Sequence, residues 1–190
     1  GRATIRLDAN RGVNRVDGCR FAESLDPDGI ELFEQPCEAN AWADNAAVAA
    51  TSPVPIMLDE SIYGLDDIRR ASDIPVIEFI KLKLKKMGGL DLLADGLNLI
   101  RDRGMTPVLG DGVSTELSCW MEACVARATI DNAGEFNGFL NPSYRLFVNP
   151  LCLEDGALHL NAGYMPKMER NKLKNYTIDQ LRFTSATVAG

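Results

Sequence analysis

The sequence predicts an incomplete β/α barrel, and three observations predict it. Short apolar runs ending in turn residues alternate with segments of helical spacing; an ionisable residue stands near the end of each run; and these residues recur on a nearly constant period. They are Asp8, Glu34, Asp59, Lys83, Asp111 and Glu135, separated by 26, 25, 24, 28 and 24 residues. Strands alternating with helices imply parallel pairing through crossovers. A barrel, unlike an open sheet, has a reason to end its strands in ionisable groups, because its active site lies at their C-terminal ends. A closed eight-unit barrel takes roughly 250 residues. The six units of this 190-residue chain are therefore read as strands three to eight, without the first two.

The first run, ATIRLDAN (residues 3–10), puts Arg6, Asp8 and Asn10 on one face and Ile5, Leu7 and Ala9 on the other. IELFEQP (30–36) aligns Glu34 with Leu32, and VPIMLDES (54–61) aligns Asp59 with Met57. FIKLKLK (79–85) carries Phe79, Lys81, Lys83 and Lys85 on one face, with Ile80, Leu82, Leu84 and then Lys86 on the other. TPVLGDG (106–112) ends near Asp111, and GEFNGF (134–139) is a weaker sixth run. YGLDDIRRASD, LDLLADGLNLIRDRG and TELSCWMEACVARATI repeat apolar residues every three and four positions, as helices do.

Gly88-Gly89 reads as a turn, and in GDGVST Ser114 or Thr115 is expected to cap the following helix. Residues 1–150 are expected to form the partial barrel that carries the catalytic groups, and residues 151–190 a hairpin and tail. The hairpin turns at Glu154-Asp155-Gly156, and NKLKNYTIDQLRFT is a polar tail.

Composition narrows the function. The chain is 46% hydrophobic with a net charge of −7 and a pI near 4.8. That field repels phosphate backbones and anionic membranes, so no nucleic-acid or membrane partner is expected. Five cysteines without a C-x-x-C pair indicate neither a disulfide framework nor a zinc ribbon, and are read as reduced thiols of a cytoplasmic protein. No run approaches the roughly 18 apolar residues of a membrane span, and no signal pattern is present.

Three carboxylates from consecutive parallel strands offer hard oxygen ligands to a divalent cation, best Mg²⁺, with Mn²⁺ as its substitute. Acidic residues also favour strand ends simply because they suit turns and solvent; the shared period argues against that for all three. A calcium loop starting at Asp8, Asn10 and Gly12 fails, because its twelfth position is Cys19 rather than glutamate. The lysines could guard an exposed edge, but their strand lies between other units, which turns its charged face toward the carboxylates. A lysine there, partly desolvated, suits a general base.

In order and spacing, DAN (Asp8 to Asn10), FEQP (Phe33 to Pro36), LDES (Leu58 to Ser61) and KLKKMGG (Lys83 to Gly89) resemble the enolase superfamily. Within it the resemblance is to the mandelate racemase/muconate lactonizing enzyme family, the muconate-lactonizing subgroup above all. It covers residues 3 to about 160.

The resemblance implies a TIM-like (β/α)7β-type barrel without its N-terminal capping domain. It implies Asp8, Glu34 and Asp59 as Mg²⁺ ligands, Lys83 as the acid/base, and Asn10 in support. It also implies proton abstraction next to a small carboxylate to give an enediolate. The family's K-x-K strand would precede residue 1, so the chain alone is expected to be impaired.

Glu60, Lys81, Asp111 and Glu135 are expected to flank the ligands or the substrate. The only histidine, His159, falls in the late hairpin and is expected on a surface strand. The leading reading is a racemase, epimerase or cycloisomerase. An acid-sugar dehydratase of the same superfamily and a non-catalytic, self-associating partial barrel are the alternatives, and a homo-oligomer is expected.

Overall fold

The computed structural model describes residues 3–112, 114–142 and 144–181. Five parallel strands run in sequential order: β1 (Ile5–Asp8), β2 (Ile30–Glu34), β3 (Ile56–Leu58), β4 (Ile77–Leu82) and β5 (Thr106–Leu109). They are joined by α1 (Arg15–Glu23), α2 (Trp42–Thr51), α3 (Leu65–Ser72), then α4 (Leu84–Met87) with α5 (Leu90–Asp102). α6 (Glu116–Thr129) follows β5. The result is a curled parallel half-barrel joined by helical crossovers.

The two faces of the sheet divide by residue parity. Phe33, Ile56, Leu58, Ile80, Leu82 and Leu109 join the main core under the helices. Leu32, Met57 and Val108, with Phe79 against them, form a separate inner cluster. Glu34, Asp59 and Lys81 share parity with this inner set, so they continue its face toward the barrel mouth. Burying one large aliphatic side chain contributes about 1.5–3 kcal/mol, and the outer face therefore anchors what the inner face displays.

Two features depart from expectation at the sheet's end. The sixth run reduces to a single parallel bridge, Gly110 to Glu135, before a 3-10 turn at Gly138–Leu140. Gly134, Asn137 and Gly138 are poor strand formers. The fourth run ends at Leu82, not Lys85: Lys83 is the N-cap of α4, whose C-cap Gly88 has φ +80°. Gly88 and Gly89 do form the turn, with Gly89 as N-cap of α5.

A hairpin of β6 (Cys152–Glu154) and β7 (Ala157–His159) follows, turning through Asp155 and Gly156, both at positive φ. Cys119, Phe139, Phe147 and Leu151 form a second small core, against which Leu158 of β7 packs. Part of the expected polar tail is helical: α7 (Arg170–Tyr176) starts where Glu169 accepts from Asn171 N. The rest of that tail from residue 182, and Val113 of GDGVST, lie outside the described residues. Among the described residues no helix is long and apolar enough to cross a membrane.

Candidate active site

The mouth of the half-barrel gathers charge from four strand ends. In the β1–β2 register Asp8 sits opposite Glu34, and Glu34 opposite Met57, two residues before Asp59. Glu34 and Asp59 are buried, whereas Asp8 is exposed and accepts from Asn10 N at 2.8 Å. Asn10 thus meets Asp8 through its backbone, at a positive φ of 45°.

Each buried carboxylate is held by lysines. Lys81 Nζ donates to both oxygens of Glu34, at 2.7 and 2.8 Å, and pairs with Glu135 Oε2 at 2.7 Å. Lys83 Nζ donates to Asp59 Oδ2, while Lys86 Nζ donates to Asp59 Oδ1 and to the Asp59 carbonyl.

The charge balance follows from burial and neighbours. Burial pushes the Glu34 carboxyl up to about 8 against the pull of Lys81, and the negative charges of Asp8 and Asp59 add to the rise. Burial would also raise Asp59, but Lys86 and Lys83 outweigh it and hold the carboxyl below its ordinary value. Burial draws the Lys81 ammonium down, yet Glu34 and Glu135 overcome it and hold it above the ordinary value. Lys86 is lowered by burial, with the charge of Lys83 acting in the same direction.

The remaining candidates fall into two groups. Glu135 lies in the site, bonded to Lys81 and 3.8 Å from Arg6, which is itself bonded to Glu31. Glu60 borders it: one oxygen is 3.6 Å from Arg11 Nε and the other is buried without a partner. Asp111 is buried and turned to structural use, accepting from Gly138 N at 2.9 Å beside the Cys119 thiol. His159 is exposed on β7.

The cap expected at α6 is not made by a side chain. Thr115 occupies the N-cap position without a capping hydrogen bond, and Ser114 Oγ is buried and unpaired.

Three participants lie outside the expected set. Lys86 was placed on the far face by strand parity, but the helical turn of α4 swings it back onto Asp59; the Gly-Gly closing that turn was the available signal. Gln35, buried at a positive φ of 35°, accepts from Asp59 N and Ser61 N and donates to Cys37 O and Ser61 Oγ. It fixes the loop that presents Asp59, and its place beside Glu34 in FEQP gave no hint of this.

Glu122 of α6 is buried and accepts from Leu84 N at 2.6 Å, immediately after Lys83. Its second oxygen has no partner, and burial raises the carboxyl to about 7. The stripe Cys119, Ala123, Ala126 on which it lies marked that face as buried.

Among the described residues, no three histidine, cysteine or acidic side chains stand together as a ready cation cluster. The fit of a cation rests on the donors' chemistry: three carboxyl groups at neighbouring strand ends are oxygen donors, the negative charges of Asp8 and Asp59 act on Glu34, and ammonium groups already stand against Glu34 and Asp59. A cavity of about 780 Å³ lies to one side, between α6, residues 134–137 and the hairpin, and shares only Glu135 with the lysine–carboxylate cluster.

Comparison with known proteins agrees with this architecture. Residues 1–164 match the family model of the enolase C-terminal domain-like fold. An o-succinylbenzoate synthase of Geobacillus stearothermophilus is 36% identical over 124 residues, covering 65% of this chain and 31% of its own length. Muconate cycloisomerase 1 of Rhodococcus opacus is 28% identical over 171 residues, covering 86% of this chain and 44% of its own. The crystal structure of muconate cycloisomerase from Pseudomonas fluorescens superposes with a TM-score of 0.83 at 25% identity, covering 91% of this chain and 49% of that one. The chain thus spans less than half the length of these relatives. With residues 1–164 matching that family model and a half-barrel that superposes on a muconate cycloisomerase, the chain belongs to the mandelate racemase/muconate lactonizing enzyme family of the enolase superfamily.

Proposed function

We propose that this chain supplies the cation-binding and proton-transfer part of an enzyme that removes the proton α to the carboxylate of a small carboxylic acid, leading to racemisation, epimerisation or cycloisomerisation. The observation that supports it most is the placement of Lys83 on Asp59, one strand from Glu34 and two from Asp8. In this reading Asp8, Glu34 and Asp59 hold Mg²⁺. Bound there, the ion supplies Lewis-acid stabilisation of the charge that grows on the substrate carboxylate.

The protein's own groups do the rest. Lys83 takes the α-proton as the neutral amine, after the ammonium that donates to Asp59 has yielded a proton to solvent. Lys86 shares Asp59 with it and sets the direction of the carboxylate, while Gln35 fixes the backbone of Asp59. Glu122 anchors the peptide that follows Lys83, so the base is held from both sides of the sheet's end.

The test is loss of the α-proton signal in D₂O with Mg²⁺, for the parent protein offered N-acylamino acids, dipeptides and muconolactone. Lys83→Ala should abolish exchange while Mg²⁺ still binds, and Asp59→Asn should weaken Mg²⁺ binding. Exchange at the wild-type rate in Lys83→Ala would remove Lys83 as the base.

A further inference from the structure

Lys81 is more than a neighbour of the site, and its geometry assigns it a task. The side chain is 4% exposed, and its ammonium is engaged by three acceptors: both oxygens of Glu34 and Oε2 of Glu135. An ammonium has three N–H donors, so Lys81 is saturated.

This bears on the cation reading above, on which the inference rests. A dication approaching Glu34 meets an ammonium already on both oxygens of that ligand, so ion and ammonium compete for the same two oxygens rather than taking one each. Lys81 must therefore release Glu34 as the ion arrives. Buried as it is, it needs an anionic acceptor to move to, and Glu135 is already in contact. Glu135 comes from the opposite side of the mouth, its backbone fixed by bonds with Leu109 and Asp111, while its side chain, 37% exposed, has room to follow the ammonium.

We propose that Lys81 and Glu135 form an exchangeable counter-ion pair for the cation site. Lys81 neutralises Glu34 while no divalent cation is bound, and transfers wholly to Glu135 when one binds. The pair keeps a carboxylate-rich mouth folded without the ion and sets how tightly the ion is held. Asp59 has no equivalent: Lys83 and Lys86 both reach it from the chain that follows β4, with no second carboxylate bonded to either ammonium among the contacts described.

The experiment is calorimetric titration of the EDTA-stripped chain with MgCl₂, for wild type, Lys81→Met and Glu135→Gln, with urea unfolding in EDTA and in Mg²⁺. Lys81→Met should bind Mg²⁺ on the order of tenfold more tightly, since a charge-assisted contact no longer has to be broken. It should also be less stable than wild type in EDTA and recover in Mg²⁺. Glu135→Gln should bind on the order of tenfold more weakly, because the ammonium loses its charged alternative.

A purely structural lysine would lower stability in both buffers and leave Mg²⁺ affinity unchanged, and that result overturns the inference. So does unchanged affinity in Glu135→Gln, which decides the matter if Lys81→Met does not fold. If none of the three proteins shows saturable binding while circular dichroism is native, the cation reading fails, and this inference with it.

Discussion

Replacing Glu122 with glutamine should stabilise the protein above neutral pH and change little near pH 4.5. The carboxyl is buried against α4 and accepts from Leu84 N, but its second oxygen is unpaired, so burial raises it from an ordinary 4.5 to about 7. A carboxyl raised in the folded state binds its proton more tightly there than in the unfolded chain. Stability from this group is therefore complete below about 4.5, falls as pH rises toward 7, and stays low above it.

At 1.36 kcal/mol per pH unit, that window amounts to about 3 kcal/mol. Glutamine keeps an acceptor for Leu84 N and cannot ionise, so the loss should vanish. Urea denaturation of both proteins between pH 4.5 and 8.5 measures it directly. Comparing the two removes the contribution of Glu34, which titrates near the same range in each. A stability difference that does not change with pH, or a variant weaker than wild type at pH 8.5, would mean that Glu122 is a stable anion paired with Lys83 or Lys85, and the reasoning would be wrong.

Other perturbations probe the scaffold. Gln35→Ala leaves Asp59 N and Ser61 N, among others, without their partner, and should cost about 3–5 kcal/mol by urea denaturation. Its effect on α-proton exchange should exceed that of an outer-face core variant of equal stability loss. Gly138→Ala would place a Cβ 1.8 Å from the carbonyl oxygen of Gly112, an obstacle of rigid backbone, and should destabilise by about 3 kcal/mol. Of the five thiols, exposed Cys124 and Cys152 should react first with a disulfide reagent at pH 8. Buried Cys37, pushed up to about 11, and buried Cys119, pushed further up, should react only on unfolding.

How far the sequence could be read depended on where regular geometry stopped. Within strands the period of two is rigid, so the inward placement of Glu34, Asp59 and Lys81 was legible from Leu32, Met57 and Phe79. Parity failed one residue after Leu82, where the backbone begins a helical turn: Lys86, assigned to the outer face, returns to Asp59, and Lys85 is left exposed near Gly112. Asp111 had the right period but lies beyond β5, where the chain no longer alternates, and its carboxylate turns to Gly138 N. Gln35 and Glu122 were illegible for another reason. Both act by hydrogen-bonding backbone far away in the chain, and nothing local records such a partner.

The charges at the mouth share one physical logic. Each buried carboxylate would be costly alone, and the structure answers each with a cation or a peptide N–H from another element: Lys81 for Glu34, Lys83 and Lys86 for Asp59, Leu84 N for Glu122. Breaking one partner therefore exposes a buried charge rather than merely deleting a bond. Because Lys81 and Lys86 come from β4 and α4 while their carboxylates lie on β2, just after β3 and at the bridge of Glu135, these ion pairs also tie together elements that the ladder of parallel strands does not join directly. In the proposed reading the same side chains would hold the cation, so substitutions that alter cation affinity should also alter stability, with a sign set by whether the cation is present.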